Sequence, residues 1–237
     1  MMQEPAISAE EPGRQAEWWA GVKSQLPIAL GVIPFGLIYG VVALAAGLTP
    51  AQAQAMSAIV FAGSAQFIGA ELMGKGAPLP VLWLTTLVVN VRHLLYSAQL
   101  GPDLQHLSRG WRFLLAYLLT DEAYATTAVH YADQQTPLTH KHWFFLGAGM
   151  MLWLTWQTST AVGVFLGAEI PASWGLDFAL ALTFIGIVVP LLTTRPMLAA
   201  AVVAGVTAVL AHTLPYNLGL VFAGLAGIGV GVWMEKQ

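Results

Sequence analysis

The sequence predicts an all-α fold, a polytopic transmembrane helical bundle of seven or eight spans, and two observations carry that prediction. Only 9% of the 237 residues are charged while 57% are hydrophobic; a soluble domain of this size carries about a quarter charged residues. The apolar runs are also continuous over roughly 15 to 25 residues, the helical pattern. Membrane strands would instead alternate polar and apolar every second residue. Cysteine is absent, so disulfide staples are excluded. The net charge of −3 is spread thinly and gives no footing for nucleic acid.

Taken in order, residues 1–22 read as a disordered cytoplasmic tail and residues 23–237 as the transmembrane domain. The tail, M-M-Q-E-P-A-I-S-A-E-E-P-G-R-Q-A-E, is acidic and lacks the basic start of a cleavable signal. It ends at Trp18-Trp19, an aromatic pair suited to the headgroup level. Eight spans follow, near 26–47, 53–73, 80–100, 112–131, 143–167, 176–193, 197–212 and 215–234. The second, rich in small and polar residues, reads as a broken or re-entrant helix. The sixth and seventh are short and separated only by T-T-R-P, which leaves seven crossings open.

With the N-terminus inside and eight crossings, Arg14, Lys23, Lys75, Lys141, Arg195 and Lys236 fall on the cytoplasmic side and only Arg109 and Arg112 outside. The excess of inside positive charge favours that orientation. L-P-I-A-L-G-V-I-P-F-G-L (Leu26–Leu37) and L-P-Y-N-L-G-L-V-F-A-G-L (Leu214–Leu225) share six positions in register on helices of opposite direction. Such an echo suits an inverted repeat.

The remaining cation, Arg92, lies inside the third span in N-V-R-H-L-L-Y. If spans three and four form a hairpin turning near 106–107, Arg92 is level with Asp121. A charge at a helix centre costs roughly 2.5 to 3.5 kcal/mol. Pairing the two, with Asn90, His93, Thr120 and Glu122 as further partners, removes much of that. A clamp needs only one pair, whereas this cluster is larger, and intramembrane ionisable groups mark substrate or proton pathways.

Other polar positions carry less. Gln66 and Ser64 lie in F-A-G-S-A-Q-F (Phe61–Phe67), where Gln66 suits either a substrate amine or a neighbouring backbone group. Glu71 lies close enough to a span end to reach water, and His130 and His212 read as interfacial. Asn217 follows Pro215-Tyr216 at a helix start, where capping is the plain explanation. Gly36 with Gly40, and Gly163 with Gly167, form small-x-x-x-small faces expected to pack helices closely. No zinc-protease, nucleophile-elbow or phosphate-loop motif is present, and the histidines lack metal-ligand spacing. Neither an enzyme activity, a cofactor nor a metal is therefore expected. From the residues alone, a coupled transporter, a passive small-solute or ion channel and a non-transporting membrane assembly subunit stay open.

P-F-G-L-I-Y-G (Pro34–Gly40), F-A-G-S-A-Q-F, N-V-R-H-L-L-Y (Asn90–Tyr96), T-D-E-A-Y-A (Thr120–Ala125) and L-P-Y-N-L-G (Leu214–Gly219) together resemble the AzlC family. Those are the large subunits of bacterial branched-chain amino acid exporters. The resemblance implies export of valine, leucine, isoleucine and often methionine across the inner membrane, driven by the proton-motive force. It also implies a small, separately encoded AzlD-type membrane partner. It carries no established binding residues, so Arg92, Asp121, Glu122, Asn90, His93, Gln66, Ser64, Tyr96 and Asn217 are site candidates on membrane physics and motif position. In this reading Arg92 meets a substrate carboxylate, Asp121 or Glu122 its ammonium, and Phe61, Phe67 and Tyr96 wall an apolar side chain.

Overall fold

The computed structural model describes residues 13–132, 140–166, 192, 194–215 and 218–236. Among them the elements are α1 (Arg14–Ala45), α2 (Pro50–Val60), α3 (Gly63–Gly74), α4 (Leu79–Asn90), α5 (Arg92–Leu104), α6 (Arg109–Tyr117), α7 (Asp121–Ala132), α8 (Lys141–Leu166), α9 (Arg195–Leu210) and α10 (Leu218–Glu235). The described residues are all-α, with no strand. Two of these helices, α1 and α10, are long and apolar enough to cross a membrane, and α4 with α5 makes a third if a bent pair counts as one span. The expected sixth span and Asn217 lie outside the described residues, apart from residue 192.

Helix α1 begins earlier than expected. Residues 14–22 are helical rather than a disordered tail, and Glu17, Gly21, Gln25, Ala29 and Val32 form one buried stripe. Spacings of three and four put them on a single helix face. The polar start of this stripe is buried against other polar side chains, so it reads as tail by composition and folds as helix by packing.

The second span is broken, as its composition suggested. Helix α2 starts at a capping box, Thr49 with Gln52, followed by Pro50. It ends at Phe61, which is buried and adopts a left-handed backbone conformation, φ 41°. A non-glycine residue there carries roughly 1–2 kcal/mol of strain. Phe61→Gly relieves it but forfeits the ring, whose burial contributes about 1.5–3 kcal/mol. Phe61→Ala forfeits the ring and keeps the strain. The expected stability order is therefore wild type, then Phe61→Gly, then Phe61→Ala, the reverse of the usual alanine-over-glycine order. Thermal unfolding of the three proteins in detergent checks it.

The third and fourth spans, expected to be continuous, are each broken at their polar motif. Helices α4 and α5 meet at Val91 with a bend of 42°, and α6 and α7 are separated by Leu118–Thr120. The second break has a local cause. Thr120 accepts the Ala123 N–H at 3.3 Å, the geometry of a helix cap. Asp121 and Glu122 fill the first turn of α7, where the helix dipole favours negative charge.

The chain divides into two compact units, Met1–Pro34 with Val91–Thr158 and Phe35–Asn90 with Ser159–Gln237. In the first, α1 lies directly on α8: a Cβ on Gly21 would stand 2.1 Å from the Phe144 carbonyl oxygen, and one on Gly147 2.1 Å from that of Trp18. Leu100, Leu104, Leu115, Leu119, Ala123 and Phe145 form its apolar core. The second unit repeats the device. A Cβ on Gly163 would stand 2.2 Å from the Leu37 carbonyl oxygen, and those on Gly36 and Gly40 would strike Ser159 and the Gly163–Val164 backbone. Gly36, Gly40 and Gly163 thus pack helices, as small residues do in membranes, while Gly167 lies outside the described residues. In the same unit α9 and α10 close on each other at Gly219 and Gly227.

Candidate functional site

In the first unit the α5–α6 turn spans residues 105–108, so the hairpin brings Arg92 and Asp121 level. The two are the first residues of α5 and α7. Arg92 Nη1 lies 3.0 Å from Asp121 Oδ2, and the Tyr96 hydroxyl donates to Asp121 Oδ1 at 2.8 Å. Both carboxylate oxygens are therefore engaged. Tyr96 stacks on Tyr124, ring centroids 4.2 Å apart and 13° between planes. Tyr124 in turn donates to Gln99. His93 meets the Tyr96 ring edge-on at 5.8 Å. Helical spacing explains the set: Arg92, His93 and Tyr96 are half-buried on one side of α5, while Leu94 and Leu95 are each 70% exposed on the other.

Glu122 is half-buried one residue beyond Asp121 and makes no ion pair among the described residues. A carboxylate held by a guanidinium and a phenol is well satisfied.

Asn90, Ser64 and Gln66 belong to the second unit, because the division falls between Asn90 and Val91. Gln66 is fully buried, and its Oε1 accepts the Ala62 N–H at 3.2 Å, across the α2–α3 break. Of the two roles open for Gln66, that contact is the backbone one. Tyr39 is also fully buried, donating to the Ala53 carbonyl at 3.2 Å and meeting Phe67 edge-on. Ser57 donates to Thr160 at 3.1 Å in the same unit. Ser64 and Asn90 are half-buried. Two surface recesses, of about 220 Å³ beside Glu71 and His212 and about 460 Å³ along α5, α6 and Phe145, are lined by neither Arg92 nor Asp121.

Glu71 pairs with exposed Lys75 at 2.6 Å. His130 has a buried partner. Its Nε2 lies 2.8 Å from Oε2 of Glu17, which is 4% exposed, and its ring stacks flat on Phe144 at 3.8 Å. Nearby, Gln25 is fully buried and accepts from Thr126 at 2.8 Å. Buried Lys141 donates to the Tyr131 carbonyl at 3.0 Å and lies 3.6 Å from Asp103. Sequence reading missed this second polar group. The signal it left is spacing, since Glu17, Gly21 and Gln25, like Glu122, Thr126 and His130, recur every four residues.

Long apolar helices, glycine-mediated contacts and an ion pair set at two helix breaks define an all-helical membrane protein. Residues 27–170, more than half of the chain, match the family model described as AzlC protein, and the chain belongs to that family. It is 30% identical over 161 residues to the inner membrane protein YgaZ of Escherichia coli, covering 66% of this chain and 63% of that protein's length. The branched-chain amino acid transport protein AzlC of Bacillus subtilis is 28% identical over 187 residues, covering 76% of this chain and 71% of its own. A membrane protein of Archaeoglobus fulgidus is 28% identical over 225 residues, 93% of this chain and 96% of its own. No solved structure matches.

Proposed function

We propose that this chain is the large subunit of an inner-membrane secondary transporter that exports valine, leucine, isoleucine and methionine by proton-coupled antiport. It works with a small AzlD-type membrane subunit. Its N-terminus is cytoplasmic, it crosses the bilayer seven or eight times, and it uses no cofactor. The observation that carries this reading is the charged cluster at the breaks of α5 and α7. A structural clamp needs Arg92 and Asp121, yet Tyr96, His93 and Glu122 gather at the same helix starts. The name of the Bacillus subtilis relative supports the substrate class.

Each group takes a role from its chemistry. Asp121 holds Arg92 in place, and the Arg92 guanidinium meets the substrate carboxylate. Tyr96, with Tyr124 stacked behind it, offers an aromatic wall to a branched side chain. Glu122 carries the coupled proton and meets the substrate ammonium when ionised. Ser64, Gln66, Asn90 and Asn217 stay substrate-contact candidates in this proposal on motif position alone.

The test is efflux of radiolabelled isoleucine from loaded proteoliposomes, with and without the small subunit, under an imposed pH gradient that is then collapsed. Efflux that follows the gradient and needs both subunits is expected. With Glu122→Gln, gradient-driven efflux falls by about 100-fold, the scale of a lost proton-transfer group. Folded wild-type subunits that move no isoleucine would remove the substrate assignment. Normal gradient-driven efflux by Glu122→Gln would remove the role of Glu122.

A further inference from the structure

We propose that Glu17 and His130 form the cytoplasmic mouth of a proton path that runs along one face of α7 to Glu122. The inference rests on the proton-coupled reading above and extends it to residues far from the charged cluster. Glu122, Thr126 and His130 are spaced four apart, so they line one face over roughly 12 Å of helix axis. Opposite them, α1 supplies a matching file: Gln25 at 2.8 Å from Thr126 and Glu17 at 2.8 Å from His130. At one end of the file is a carboxylate at a helix break. At the other is a buried acid–histidine pair near the ends of both helices.

A clamp between α1 and α7 is satisfied by Glu17 and His130 alone. It does not call for a fully buried glutamine about two turns further in on α1 and a threonine hydroxyl about one turn further in on α7. Gln25 Nε2 is buried without a hydrogen-bond partner among the described residues, and so is the hydroxyl of Thr127 on α7. Buried polar groups left in this way need an explanation, and a path used by water and protons supplies one. In antiport the proton moves inward, so the acid and the imidazole, a pair able to accept and to donate a proton, release it to the cytoplasm. It reaches them from the Glu122 carboxylate by way of the Thr126 hydroxyl and water. No other bond is made or broken.

The surroundings of the pair carry both signs. Tyr131 follows His130 on α7. Lys141 of α8 lies between the Tyr131 carbonyl and Asp103 of α5, and Phe144 of α8 covers the imidazole. His142 of α8 lies within electrostatic reach of Arg14 of α1, His106 and His140. Lys141 and Asp103 balance each other, which leaves Glu17 and His130 as the exchanging pair.

The test uses the full chain with its small subunit in proteoliposomes and reads two modes. Isoleucine counterflow at equal pH needs no net proton movement, whereas gradient-driven efflux does. Glu17→Gln and His130→Gln, which keep hydrogen bonding, are expected to retain counterflow within about twofold and to lose gradient-driven efflux by about tenfold or more. Glu17→Asp restores most of the loss, and Thr126→Val shows a smaller loss of the same kind. Should Glu17→Gln fail to fold, His130→Gln decides alone. Both modes falling together in folded variants would make the pair a clamp and overturn the path, as would both modes staying intact. A wild-type protein that shows counterflow but no response to the gradient would instead overturn the coupled reading, and the path with it.

Discussion

Arg92→Ala and Asp121→Ala are each expected to lower the stability of the folded protein markedly, and the double variant to regain part of the loss. Removing one partner strands the other at a helix start in mid-span. An unpaired charge at a helix centre costs roughly 2.5–3.5 kcal/mol on the lenient insertion scale. The two side chains are 31% and 38% exposed, which reduces the penalty, so about 1.5–3 kcal/mol is expected for each single variant. In the double variant neither charge is left, and its loss should fall short of the sum of the singles by about 1–2 kcal/mol. Unfolding midpoints in detergent measure this. Additive losses would mean that the ion pair holds nothing together. Isoleucine efflux then separates the roles: a clamp allows the double variant to transport, whereas a substrate-contacting Arg92 leaves it folded and inactive.

The second large effect is expected where α1 and α8 touch. Gly147→Leu pushes a side chain into the Trp18 carbonyl, since even a Cβ would lie 2.1 Å from that oxygen. Gly163→Val does the same at the Leu37 carbonyl. The clashing atoms are backbone on both helices, so no rotamer change relieves them and the helices must separate. Overpacking of this kind costs about 1–3 kcal/mol and occasionally more, and the upper end is expected here. Gly224→Ala is the control, because nothing lies within 4 Å of its added Cβ. It should be neutral or slightly stabilising, by about 0.5–1 kcal/mol, as alanine is the better helix former. Thermal midpoints of the three variants check the contrast. A Gly147→Leu protein as stable as Gly224→Ala would show that the close approach is not maintained in the bilayer.

Much of this architecture was legible in the chain, for identifiable reasons. Continuous apolar runs admit helices and little else in a bilayer. The level of Arg92 with Asp121 followed from one hairpin turn. The glycine faces were legible because a four-residue spacing of small residues has one common use. The breaks at Val91 and Leu118–Thr120 were not, because neither contains proline or glycine, the residues that usually mark a sharp bend. Only the cap at Thr120 hints at the second. Glu17 was hidden differently. It sits among acidic residues that read as a solvated tail, and its partner His130 is 113 positions away. Composition sees neighbours along the chain, while burial here is decided by a helix face.

The bend at Val91 has a mechanical consequence. Proline would make such a bend permanent by removing an N–H and wedging the preceding turn. In N-V-R-H no such wedge exists, so every N–H and carbonyl needed for a straight helix is still present. The first residue of α5 is instead held from the side, by Asp121 of α7, so that helix start is fixed by a contact that charge and salt can weaken and not by a wedge in its own backbone.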